Sequence, residues 1–224
     1  MSVDVTQQLL AAEHYNAVVS TKKQIVLHHT AGSSDPTAVI QGWAATTTKV
    51  GAHLVLGGIS RKGDAKYDGK VYQAVDYRYW LWHLGIKAGQ TTIQHGVLDS
   101  QSVGIEICNY GWLTKNAAGA YVTYLGNIVP ADQVVDLGTP WRGYQYWHRY
   151  TDAQLATVKE LVPELADQFG ITLEKGRTFD LDDFNVDIDG SAKKAVAFHA
   201  SFRQDKWDTY PSPALIDVLN QIHA

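Results

Sequence analysis

Short apolar runs cut off by turn residues constrain this chain more than any other feature, and the most restrictive reads IVLHHTAG (25–32). Ile25, Val26 and Leu27 are β-formers or near-formers and read as a buried strand. Gly32, Ser33 and Ser34 supply the loop that stops it. Successive side chains on a strand point to opposite faces, so His28 and His29 diverge and only one can readily look into a given site. Four further runs behave alike: AHLVLGG (52–58), YDGKVYQAV (67–75, opened by the Asp68-Gly69 turn signal), SVGIEIC (102–108) and KKAVAFH (193–199).

Helical signals fall between these strands. Residues 4–18 read as a helix with polar flanks. Asp35-Pro36 offers an N-cap and an N1 proline for a helix through about Ala45. Thr151-Asp-Ala-Gln154 is a capping box, followed by Leu155, Val158, Leu161, Val162, Leu165 and Phe169 at helical spacing and closed by Gly170. Ser212-Pro213 opens a last helix with Leu215, Ile216, Leu219 and Ile222 on one face. Strands mixed with helices throughout imply an α/β fold with a central sheet covered by helices. The length of 224 residues suits a single domain spanning 1–224, and no repeat, linker or low-complexity tract divides it.

Composition narrows the function classes. A formal net charge of −4 argues against a nucleic-acid binder, which carries a basic face. The single cysteine, Cys108, excludes an internal disulfide and a Cys-rich zinc site. The start, MSVDVTQQLLAAEHYNAVV, has neither a basic n-region nor an apolar h-region, and no stretch approaches the roughly 18 apolar residues of a membrane span. The expectation is synthesis in the cytoplasm without a signal peptide, no membrane insertion, and a monomer.

A second stretch, FHASFRQDKWDTYPSP (198–213), again ends an apolar strand in a histidine, His199. Asp208 follows nine positions later, with Lys206 two residues before it, so the two can share one side of an extended segment. His28, His199 and Asp208 make a sensible zinc set, because catalytic zinc takes three N and O ligands and keeps a fourth position for water. Spacing alone does not single them out, since any of the nine histidines is more often a packed or surface residue than a ligand.

IVLHHTAG, DGKVYQAV, WHLG (82–85), SVGIEI (102–107) and H…KWD…P (199–211) occur in the order seen in zinc N-acetylmuramoyl-L-alanine amidases. The chain resembles that family, which includes phage lysozyme-type amidases and peptidoglycan recognition proteins, over roughly 24–108 and 193–222. The resemblance implies the family's mixed-sheet fold, a zinc ion held by His28, His199 and Asp208, and a supporting role for His29. It implies hydrolysis of the amide between N-acetylmuramic acid and L-alanine, with Glu106 as general base and Lys206 donating to the developing oxyanion. His83 of WHLG falls near the family's cleft, where it touches substrate or supports the rim. Some members carry a tyrosine in the strand after the first helix; Ala52 stands there, which shifts the burden onto Glu106.

Other features read more plainly. His53 is structural, and His14, His95, His148 and His223 have no motif behind them. Cys108 is a small buried residue. The aromatic-rich PWRGYQYWHRY (140–150) belongs to an insertion at about 109–150, where aromatics more often anchor a loop to the core than stack on ligand, though the insertion could also cap the cleft. NVDIDG (185–190) resembles the start of a calcium loop, but position twelve would be Val196 rather than a bidentate glutamate, so it reads as a solvated acidic loop. Three functions follow: a phage-type endolysin that degrades the bacterial cell wall after leaving through a separate pore, a cytosolic amidase recycling soluble muropeptides, or a peptidoglycan-binding module without catalysis. The presence of all five site residues favours an enzyme, and the endolysin is the preferred reading.

Overall fold

The computed structural model describes residues 3–86, 96–175 and 194–223. The chain runs through β1 (Val5–Gln7), β2 (Gln24–His29), helix α1 (Pro36–Ala44), β3 (Leu54–Leu56) and β4 (Val71–Gln73). Helix α2 (Val97–Ser100) and β5 (Ser102–Ile107) follow, then β6 (Trp112–Lys115), β7 (Tyr121–Val122), β8 (Ile128–Val129), β9 (Val134–Trp141) and β10 (Tyr144–His148). Helix α3 (Asp152–Phe169), β11 (Val196–Phe198) and helix α4 (Pro213–Ile222) complete it.

The main sheet is mixed, as expected, with strand order β1-β4-β3-β5-β2-β11. β3, β5, β2 and β11 run parallel to one another, and β4 reverses direction against β3. Alternation sorts the side chains onto two covered faces. Ile25, Leu27, Val103, Ile105 and Phe198 join the large core beneath α3 and α4. On the other face, Val55 packs with Ile40 of α1, and Val26 packs with Leu84, Leu98 and Phe202.

The helices form where their caps are strongest. The Asp35 carboxylate accepts from the backbone N–H of Thr37 and Ala38 at the start of α1. At α3, Thr151 Oγ1 accepts from Gln154 N and Gln154 Oε1 accepts from Thr151 N, which completes the capping box. Gln154 Nε2 also donates to the carbonyls of Gly57 and Cys108, tying the helix start to the ends of β3 and β5.

The expected helix over 4–18 does not form. Residues 5–7 add an edge strand parallel to β4, Gln8 and Leu10 continue the pairing, and only a short 3₁₀ turn, Ala12–His14, follows. An amphipathic helix needs an apolar face to bury, and Leu10 is the only buried residue among the described positions 3–18.

The insertion forms a second, antiparallel sheet of order β8-β7-β6-β10-β9, with no strand anticipated from its sequence. Its aromatics anchor it. Trp147 is fully buried and stacks on Tyr210 at 4.7 Å, and Tyr150 stacks on the same ring at 5.2 Å.

Two buried histidines give the fold a pH dependence. His53 Nε2 donates to the Tyr79 carbonyl while its Nδ1 accepts from Gly104 N–H. His148 is placed in the same way between Gln133 Oε1 and Tyr110 N–H. A second proton would destroy the accepting bond in each, and burial pushes both pKa values from 6.5 down to about 3. The unfolded chain therefore binds more protons than the native one between these values. Stability is complete above pH 6.5 and falls toward pH 3, at most by roughly 1.4 kcal/mol per pH unit for each histidine. Urea unfolding should show lower stability at pH 5 than at pH 7 and a shallower loss in His53→Gln; equal stability at both pH values would refute the assignment.

Candidate metal centre

β5, β2 and β11 lie side by side and parallel, so their C-terminal ends open on one edge, where open α/β sheets place their ligand sites. His28 on β2 is level with Glu106 on β5, and Phe198 on β11 is level with Leu27. His199, one residue past β11, therefore comes beside His28. His29 turns to the opposite face, where its Nδ1 lies 3.2 Å from the Tyr150 hydroxyl and its ring meets Trp147 and Tyr210. The paired histidines divide as strand alternation requires.

Asp208 completes the cluster from the loop after β11. Its Oδ2 lies 3.1 Å from His28 Nδ1 and 2.9 Å from His199 Nδ1, and the two Nδ1 atoms are 3.1 Å apart. Tetrahedral zinc spaces neighbouring donors about 3.3 Å apart, so two imidazole nitrogens and one carboxylate oxygen converge at a separation that suits such an ion. Among the described residues this is the one group of three such ligand atoms close enough to share a metal.

The outward nitrogens of both histidines are held by a second layer. His199 Nε2 donates to the Leu84 carbonyl at 2.8 Å, and His28 Nε2 and His83 Nδ1 share a hydrogen bond of 2.9 Å. The carbonyl partner places a proton on His199 Nε2, which suits Nδ1 to a cation, and the His83 contact orients the His28 ring toward the same point. WHLG thus contributes one ring and one carbonyl. Its backbone is held in turn by the buried Asp99, whose Oδ1 accepts from His83 N and Leu84 N at 2.8 Å each. Gly104 makes room for this layer, because a Cβ there would stand 3.3 Å from His83 Nδ1 and 3.2 Å from Ala52 Cβ.

Burial governs the electrostatics. It pushes His28 down to about 4 against the pull of Asp208, leaving a neutral imidazole at neutral pH. Burial alone would raise Asp208, yet His199 and His28 hold it well below the usual carboxylate range. Glu106 goes the other way: burial and then the Asp208 charge push it up to about 8, opposed by Lys206.

His28, His83, Glu106, His199, Lys206 and Asp208 all line one cavity of about 410 Å³, whose lining also includes the apolar Val39, Trp43 and Val50. All six predicted site residues are therefore together. His83 reaches only its floor, 8% exposed and with Nδ1 committed to His28. No residue of 109–150 lines the cavity itself. His53 and Cys108 are buried in the fold as expected. His95 and the 185–190 loop lie outside the described residues. Sequence reasoning missed Asp99 and the Leu84 carbonyl, which act through backbone hydrogen bonds.

Fold and site together define an α/β domain with a His/His/Asp cluster at the ends of parallel strands. The profile of the N-acetylmuramoyl-L-alanine amidase family matches residues 19–211, and the chain belongs to that family. Its fold is similar to that of PlyL (TM-score 0.55, 12% identity, covering 99% of this chain and 98% of PlyL). A mutant endolysin from Bacillus subtilis matches with TM-score 0.54 and 17% identity over 99% of both chains. The Staphylococcus aureus hydrolase AmiA, solved with its ligand, gives 0.53 and 13% identity over 100% of this chain and 84% of AmiA. No curated protein matches the sequence. No helix among the described residues is long and apolar enough to cross a membrane.

Proposed function

We propose that this chain is a zinc-dependent N-acetylmuramoyl-L-alanine amidase acting as an endolysin, a single catalytic domain that cuts the amide between N-acetylmuramic acid and L-alanine in peptidoglycan. The observation that carries this reading is the convergence of His28 Nδ1, His199 Nδ1 and Asp208 Oδ2 in the cavity that also holds Glu106 and Lys206. Zinc, when bound, supplies Lewis acidity toward the scissile carbonyl and toward water. Glu106 takes the proton of the attacking water and delivers it to the leaving L-alanine nitrogen. Lys206 places its ammonium against the oxygen on which charge develops. Val39, Trp43 and Val50 in the lining offer the substrate apolar contact.

The endolysin role draws on the fold shared with the mutant endolysin from Bacillus subtilis over 99% of both chains. In that role the protein reaches the wall through a separate pore. Purified sacculi should release products with free L-alanine amino termini, lose that activity to a chelator and regain it with zinc. Cleavage of soluble muropeptides but not of sacculi would assign a recycling enzyme instead. Binding without cleavage by zinc-loaded protein would leave only a recognition module.

A further inference from the structure

The tip of the β9–β10 hairpin carries an unusual residue in an unusual conformation. Trp141 pairs with Tyr144, and the two residues between them, Arg142 and Gly143, have φ of 48° and 90°. That is a two-residue type I′ turn, whose first position is favoured by Asn, Asp or Gly because the left-handed region crowds a larger side chain. An arginine held there points to a demand outside the turn.

The guanidinium shows what that demand is. Nη2 donates to the Ala200 carbonyl at 3.1 Å, and Nη1 donates to the Arg203 carbonyl at 3.1 Å and to the Lys206 carbonyl. All three acceptors lie between His199 and Asp208. Trp207 Nε1 returns a bond to the Arg142 carbonyl at 3.2 Å. One side chain of the second sheet therefore gathers the backbone of the loop that presents Lys206 and Asp208.

We propose that Arg142 is a positioning residue that fixes the 200–207 loop and so holds Asp208 and Lys206 in register with His199. Its planar fork suits the task, since it reaches several acceptors at once where an ammonium acts as a single point. The second sheet then serves the site without lining its cavity. The consequence for metal affinity rests on the zinc reading of the cluster; the clamp on the loop does not.

Arg142→Asn tests this, because Asn-Gly is the preferred pair for the turn and should keep or raise the melting temperature. Hydrogen exchange of the 200–208 amides in metal-free protein is expected to accelerate about tenfold while the other strands keep their protection. Zinc affinity, measured by chelator competition, is expected to fall about 10-fold or more. Arg142→Lys, which keeps the charge but not the fork, should give an intermediate loosening. Unchanged loop exchange in Arg142→Asn would overturn the proposal, as would a fall in melting temperature with faster exchange throughout, which would assign Arg142 to hairpin stability. Wild-type protein that takes up no zinc, yet loses loop protection in Arg142→Asn, would overturn the metal reading and sustain the clamp.

Discussion

Asp208→Asn is expected to abolish measurable zinc uptake and to lower amide hydrolysis by about 10³-fold, the equivalent of several kcal/mol of lost charge stabilisation. The substitution keeps the size of the side chain and removes only its charge and one acceptor oxygen. In the folded protein that oxygen sits 3.1 Å from His28 Nδ1 and 2.9 Å from His199 Nδ1 and supplies the only negative charge of the three-ligand set. The variant should also lose stability in the metal-free state. The wild-type carboxyl titrates well below 3.8, so its contribution is present above that value and disappears as the pH falls through the folded pKa. Zinc content by metal analysis, turnover on peptidoglycan and metal-free melts at pH 7 read the three effects. Full activity in zinc-free Asp208→Asn would remove the metal from the reaction.

The sequence made some parts of this arrangement readable because local and tertiary preferences agree there. The box at Thr151 and Gln154 and the periodic apolar stripe after it define α3 without knowledge of its partners. Strand alternation separated His28 from His29, and the structure places them on opposite faces for that reason. Where signals were local but unsupported, they misled: the helical reading of 4–18 lost to pairing along the free edge of β4. The second sheet was invisible for a different reason. β7 and β8 have two residues each, too few to show a period of two, and their places are set by pairing, β7 with β6 and β8 with β7.

The chemistry divides likewise. His199 was marked by its position at a strand end, whereas Glu106 was distinguished only by family resemblance, because a carboxylate in an apolar strand does not announce whether it faces a core or a cavity. Asp99 and Arg142 left no motif. Asp99 accepts from two backbone N–H groups and Arg142 donates to three carbonyls, and backbone partners impose no residue type on the sequence.

Glu106→Gln should separate catalysis from binding most sharply. The variant is expected to retain zinc, since Glu106 is not among the converging ligand atoms, and to lose about 10²–10⁴ in kcat as the proton acceptor disappears. In the wild type, the acid limb of the pH–rate profile should fall between 4.5 and 8, displaced upward from an ordinary carboxylate by burial and by the Asp208 charge, with Lys206 and a bound cation drawing it back. That limb should vanish in the variant. The same displacement carries a stability cost. Between these pH values the folded carboxyl keeps a proton that the unfolded chain has released, so native stability declines as pH rises and the full penalty stands above about 8. Glutamine never ionises. Metal-free Glu106→Gln should therefore melt near the wild type at pH 5 and above it at pH 9, a gain in stability bought with activity. A variant that keeps its turnover would remove Glu106 as the base, and one that melts below the wild type at pH 9 would show that the carboxylate is stabilised in place rather than strained.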